Sequence, residues 1–205
     1  MKTEIALTAA AGLVSWVGWQ LGRVSTVRLD SGFACACQQV QGHVNAPAAL
    51  HIVCYCDDCQ KFATLTCQST SKSPVDTHGG TDIVQVFPAD VTISKGKANV
   101  TIAKLSDKTA LLRVFASCCN TPLFNAIDDL AFIGLFTSTL KQPEDVGPVQ
   151  FRIMGKFATS APIEPVAPTF SLGFGLVFFT RALVVYRSRA HPTPLDGTMP
   201  RLVLK

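Results

Sequence analysis

Between residues 83 and 116, short runs of β-branched and aromatic residues alternate with turn-forming connectors. The runs are IVQVF (83–87), VTISK (91–95), VTIAKL (100–105) and ALLRVFA (110–116), separated by PAD, GKAN and SDKT. Such residues suit a pleated surface, and Gly, Pro, Asn, Asp and Ser supply the turns between strands. The spacing predicts an antiparallel meander, not alternating βα units. AFIGLF (131–136) and FRIMGKFA (151–158) predict further strands, so the fold class is mostly β.

The two ends read differently. Residues 5–21 form an uncharged apolar run at the lower limit for crossing a bilayer, with Trp16 and Trp19 near its end and Arg23 and Arg28 beyond. Three readings stand: a membrane anchor with membrane contact through 5–21, a packed soluble helix, and a targeting segment. Lys2 ahead of the run favours targeting, whereas the absence of a clear A-x-A site opposes it. Residues 169–189 are also apolar, but Arg181 interrupts them, which predicts an amphipathic or core-packed helix. The tail from 190 carries three prolines and predicts an irregular strap over the surface. The chain thus divides into an N-terminal apolar helix (1–27), a β domain (28–160), and a C-terminal helix with its tail (161–205).

Charge excludes one class of partner. The formal net charge is +4 with no Arg or Lys run, so no nucleic-acid partner is expected. No GxSxG, P-loop or GxGxxG motif is present. The cysteines alter the picture more. Of eight, seven fall in three tight groups: Cys35 and Cys37; Cys54, Cys56 and Cys59; Cys118 and Cys119. Neighbours this close bridge each other only with strain. Clustered thiols without a convincing export signal point to metal ligands in a reducing compartment, the cytoplasm first of all. Cys67 stands alone and reads as a small core residue.

Strand alternation puts residues i and i+2 on one side, so CAC and CYC would each aim two thiols at one point. CDDC then turns the chain so that Cys59 returns beside Cys56. An all-thiolate set favours zinc, one ion or two, with four ligands when structural and three plus an open position when catalytic. Adjacent Cys118 and Cys119 would face opposite sides of an extended chain, so one ligates naturally and the second is left open; both stand as candidate ligands. In DTHGGTDIVQ (76–85), two glycines would let backbone N–H groups meet an anion, and His78 would exchange protons near neutral pH; a plain turn into a strand is the simpler alternative. His43 and His51 read as surface or core residues. Asp57 and Asp58 read as loop residues that donate no ligand, Asp58 bonding turn N–H groups.

The order CxC, then CxCDxC with a basic residue and an aromatic behind it, then a late cysteine before TPL, resembles the glutathione-dependent formaldehyde-activating enzyme family, which includes the centromere protein V type. CYCDDCQ, HGGTDI and the double cysteine before TP are most similar to an uncharacterised branch of that group. The resemblance covers roughly residues 29–125 and the tail HPTPLDGTMPRLVL. It implies an Mss4-like zinc-binding β fold with N- and C-terminal helical extensions, and two zinc sites. One would take Cys35 and Cys37 plus a later CxxC; the other would be a labile centre at Cys54, Cys56 and Cys59 near bound glutathione. Cys119 matches the end of the later CxxC, but Ala116 stands where its mate belongs, which leaves Cys118 to supply the ligand. Tyr55 stands where many members have histidine, and Asn120 where they have glycine.

Two functions are expected on these grounds. One is a carbon–sulfur lyase in which Cys54, Cys56 and Cys59 hold zinc, a small thiol such as glutathione binds, and His78 transfers a proton. The other is a non-catalytic zinc-stapled interaction module. A thiol redox role for Cys118 and Cys119 is a third and lesser alternative.

Overall fold

The computed structural model describes residues 26–66, 73–127, 130–185 and 187–204. The predicted N-terminal helix and Cys67 lie outside them. No helix among the described residues is long and apolar enough to cross a membrane.

Among the described residues the architecture is mostly β: ten strands in one connected sheet and two short α-helices. The strands are β1 (Val27–Ala34), β2 (Gln41–Cys54), β3 (Thr81–Val86), β4 (Val91–Lys95), β5 (Val100–Lys104), β6 (Leu111–Ala116), β7 (Thr121–Ile127), β8 (Ile133–Phe136), β9 (Phe151–Ile153) and β10 (Arg201–Val203). The helices are α1 (Asp57–Thr66) and α2 (Leu172–Phe179). The main path runs β1-β2-β3-β8-β7-β6-β5-β10.

The long β2 serves two sheet regions. Its first half pairs with β1 and β4, and its second with β3 and β9. Val44 and Ala46 face one core, while Leu50, Ile52 and Cys54 face the other. The pairing with β1 slips between Leu29↔Ala46 and Val27↔Ala49, where Pro47 interrupts the strand. There the buried Arg181 side chain lies over the Phe87 ring and donates to the Ala48 carbonyl at 2.5 Å.

The expected continuous meander is only partly present. β5 and β6 pair across SDKT, but β3 pairs with β2 and β8, and β4 pairs with β2. The connectors PAD and GKAN are 3-10 turns, Pro88–Asp90 and Lys97–Asn99. They redirect the chain to another part of the sheet instead of reversing it. At Gly96 the backbone takes φ 73°, and a Cβ would lie 2.0 Å from the Gln39 carbonyl, so this corner requires glycine.

Strands β3, β5, β6, β7 and β8 are buried on both faces, which explains their continuous apolar runs. One core holds Val84, Val86, Val100, Ile102, Leu112, Val114 and Phe124. The other, beneath both helices, holds Ile83, Ala103, Phe115, Phe62, Phe174, Val177 and Phe178. Helix α2 starts at Ser171, whose hydroxyl accepts from the Phe174 N–H at 3.1 Å. A π-helical turn (Thr180–Val185) follows. The tail returns along the sheet edge, where β10 pairs in parallel with β5.

Candidate metal centres

All seven described cysteines are free thiols, and they gather into two groups. The first unites two hairpin tips. Between β1 and β2, residues 35–40 form a knuckle in which the Val40 N–H donates to Cys35 Sγ at 3.3 Å and Gln38 takes φ 60°. Between β6 and β7, residues 117–120 form a second knuckle, with Asn120 at φ 54°. Asparagine tolerates that left-handed conformation better than most non-glycine residues. The Ala36 N–H donates to Thr121 Oγ1 at 3.0 Å and fastens the tips together.

The sulfur separations are 3.5 Å for Cys35–Cys37, 3.8 Å for Cys35–Cys118, 3.3 Å for Cys37–Cys118 and 4.0 Å for Cys118–Cys119. A tetrahedron with metal–sulfur bonds of about 2.3 Å has edges of about 3.8 Å, so the four-thiol group has the dimensions of such a site. Both adjacent cysteines join it, although in an extended chain they would face opposite sides. The reason is local: residues 117–120 turn, and the alternation of extended chain does not apply. Likewise Cys35 and Cys37 lie beyond the end of β1, so a knuckle brings them together. Burial pushes Cys35 and Cys118 above the ordinary thiol range. Burial acts the same way on Cys119, yet hydrogen bonds from Thr121 and Cys37 hold it down to about 6.

The second group is built where β2 runs into α1. Cys54 ends the strand, Cys56 precedes the helix, and Cys59 sits in its first turn, with its N–H on the Cys56 carbonyl at 3.1 Å. The three sulfurs lie within 4.8 Å of one another, and no fourth histidine, cysteine or carboxylate joins them among the described residues. Asp57 and Asp58 point outward in the first turn of α1, where negative charge complements the helix dipole. They donate no ligand to the group, and Asp57 Oδ1 accepts from the Asp58 N–H at 3.0 Å.

Sequence reasoning passed over two residues of this site. Arg113 is 1% exposed in the middle of β6; its Nη1 donates to Cys59 Sγ at 3.4 Å and to Asn125 Oδ1 at 3.0 Å. Asn125 is its cross-strand partner on β7. No carboxylate pairs with Arg113 among the described residues, and its Nη2 has no partner. A buried guanidinium needs a counter-charge, and the thiols are what it has. Hydrogen bonds from Cys54 and Cys56, then the Arg113 charge, hold Cys59 well below the ordinary thiol range despite its burial. Donating to both neighbours pushes Cys54 up. The visible signal was a charged residue at an inward position of an apolar strand, LLRVFA.

Cys54, Cys56, Cys59, Arg113 and Asn125 line a cavity of about 480 Å³ between the sheet and α2. A larger cavity of about 730 Å³ under the C-terminal strap carries no thiol. His78 lines neither; its Nδ1 lies 2.8 Å from Ser160 Oγ. The N–H groups of His78 and Gly80 are taken by Asp76 Oδ1 at 2.8 and 2.7 Å, so the loop binds its own carboxylate in place of an external anion. Tyr55 is buried away from the thiols, against Gly80. Exposed His43 pairs with Asp30 at 2.7 Å. His51 is buried between the Gly147 carbonyl (2.8 Å) and Asp82 (2.7 Å).

A family model described as a family of unknown function, DUF6151, matches residues 28–201. None of the curated proteins matches the chain. Among solved structures, the chain is similar to a crystal structure of a Rhodobacter sphaeroides protein at 16% identity and a TM-score of 0.41, covering 58% of this chain and 96% of that one.

Proposed function

The chain belongs to the DUF6151 family, whose function is unknown, and we propose that it is a two-site zinc protein with carbon–sulfur lyase activity on thiol–aldehyde adducts. Cys35, Cys37, Cys118 and Cys119 hold a structural ion, and Cys54, Cys56 and Cys59 hold a second. The observation that carries this reading is the three-thiol group, without a fourth protein donor among the described residues, facing a cavity and backed by a buried arginine whose Nη2 has no hydrogen-bond partner there. The donor set fits zinc: soft sulfur throughout, four donors in one group and three in the other. The β framework is assigned to the Mss4-like type, supported by two hairpin tips that bring a CxC and a later cysteine pair together. Seven free thiols support a reducing compartment, the cytoplasm.

The zinc would supply one open coordination position at which a small thiol such as glutathione ionises near neutral pH. Arg113 offsets the negative charge of the thiolates and fixes Cys59, and Asn125 holds Arg113 in place. Phe132, Phe174 and Phe178 exclude water from the cavity. In the reaction the carbon–sulfur bond of the adduct breaks with its electron pair going to sulfur. The adduct hydroxyl loses its proton, and thiol and aldehyde are released without an oxidant.

Metal analysis of the purified protein is expected to give two zinc ions per chain, and hemithioacetal breakdown is expected to accelerate in its presence. Two zinc ions with no thiol binding and no change in turnover would leave a zinc-stapled interaction module instead.

A further inference from the structure

The three-thiol cavity has a one-sided chemistry. Apolar side chains make most of its wall, among them Ile52, Ile83, Phe132, Ile153, Phe174 and Phe178. Among the described residues Arg113 is the one charged side chain lining it, and no carboxylate lines it. At about 480 Å³ it has the size of a small-molecule site. Helix α2 supplies a continuous aromatic wall: Phe170 stacks on Phe174 at 5.6 Å, Phe174 meets Phe178 at 5.4 Å, and Phe178 meets Phe132 at 5.0 Å. Phe170 and Phe179 remain 61% and 54% exposed at the edge of the same cavity, an apolar rim in contact with solvent.

At the other end stands an unmet donor. Arg113 Nη2 is buried without a partner, while Nη1 already serves Cys59 and Asn125. Native structures seldom leave such a donor unsatisfied. It calls for a single acceptor on the bound molecule, beside the sulfurs.

We propose that this cavity selects an apolar alkyl or aryl thiol, free or as its aldehyde adduct, with the sulfur head among Cys54, Cys56, Cys59 and Arg113 and the hydrocarbon body along the phenylalanine wall of α2. The proposal rests on the open-site reading given above and narrows its substrate class. A tripeptide thiol such as glutathione brings two carboxylates and an ammonium into a chamber where, thiols apart, Arg113 is the one charged group among the described residues, so most of those charges go without partners. An alkyl body finds contact throughout. Each methylene buried against such a wall strengthens binding about fourfold.

The test uses the full-length zinc-loaded protein, with zinc content measured first and dissociation constants then taken by calorimetry for ethanethiol, 1-butanethiol, 1-hexanethiol and glutathione. Affinity is expected to rise about fourfold per methylene along the alkyl series, with 1-hexanethiol well above glutathione. Gly175 lines the cavity, and a Cβ there meets no atom within 4 Å, so Gly175→Leu fits the folded helix and fills the chamber. That variant is expected to keep both zinc ions and lose at least tenfold in 1-hexanethiol affinity. Glutathione binding as tightly as 1-hexanethiol, a flat alkyl series, or an unaffected Gly175→Leu would overturn the apolar selection while leaving the open site standing. No thiol binding to protein carrying two zinc ions, or only one ion per chain, would overturn the open site and the selection with it.

Discussion

Arg113 shows how much a single side chain decides. Its guanidinium is fully buried, and its charge is met chiefly by the Cys59 and Cys56 sulfurs, with the Asp58 charge a lesser contribution. Replacing it with methionine keeps the volume and removes the charge. Arg113→Met is therefore expected to weaken metal retention at the three-thiol group by about 10–100-fold, as for other residues that support metal ligands. The four-thiol group should be unaffected. Competition with a chromophoric chelator measures this, and equal affinity in wild type and variant would rule out the counter-charge role. His51 makes a separate prediction. Burial lowers its proton affinity, but the bond to Asp82, the Asp82 charge and the Gly147 carbonyl outweigh that and raise it. A raised folded-state value stabilises the fold fully below the unfolded histidine value of about 6.5 and ceases to do so as pH climbs through the folded value. Melting temperatures of wild type and His51→Gln should therefore differ most in mild acid and converge in alkali. A gap that widens toward high pH would contradict the assignment.

At the scale of elements, the two metal groups are products of turns. Asn120 allows residues 117–120 to fold Cys118 and Cys119 toward Cys35 and Cys37. A β-branched residue resists that backbone, so Asn120→Val is expected to cost about 1–2 kcal/mol, seen as a lower melting temperature of the metal-loaded protein. Asn120→Gly should melt close to wild type, and an equally benign Asn120→Val would show that the left-handed turn is dispensable. These turns mark the limit of what was legible beforehand. VTISK coincides with β4 (Val91–Lys95) because its propensities, Gly96 and Asp90 agree locally. The partners of β4 were not legible, since a 3-10 turn and a hairpin turn share the residues Pro, Asp, Gly and Asn. The cysteine groups were visible as spacing, whereas the convergence of Cys118 with Cys119 depended on a backbone conformation that spacing does not carry. Arg113 and Asn125 stood in plain sight in LLRVFA and LFNAI as polar residues at inward positions. Their meaning appears only when β6 and β7 pair.

For the whole molecule, the four-thiol group is a long-range fastening. Cys35 and Cys118 are 83 positions apart, and an ion held between them removes loop freedom from the unfolded chain, as a disulfide does. By the relation for crosslinked loops this contributes about 4–5 kcal/mol, or roughly 10–20 °C in melting temperature for a chain of this length. Chelation with excess EDTA is expected to produce that drop, and Cys35→Ala should reproduce it. Cys59→Ala should stay folded while losing one ion, because its group spans only six positions from Cys54 to Cys59. Equal collapse in both variants would make each group a structural staple. The distance between the hairpin tips also sets a schedule during synthesis. Cys35 and Cys37 leave the ribosome early and wait as exposed thiols while the 80 residues between Cys37 and Cys118 are translated. If the proposed metal reading holds, the nascent protein would depend on a reducing, metal-buffered environment well before it has any activity to protect.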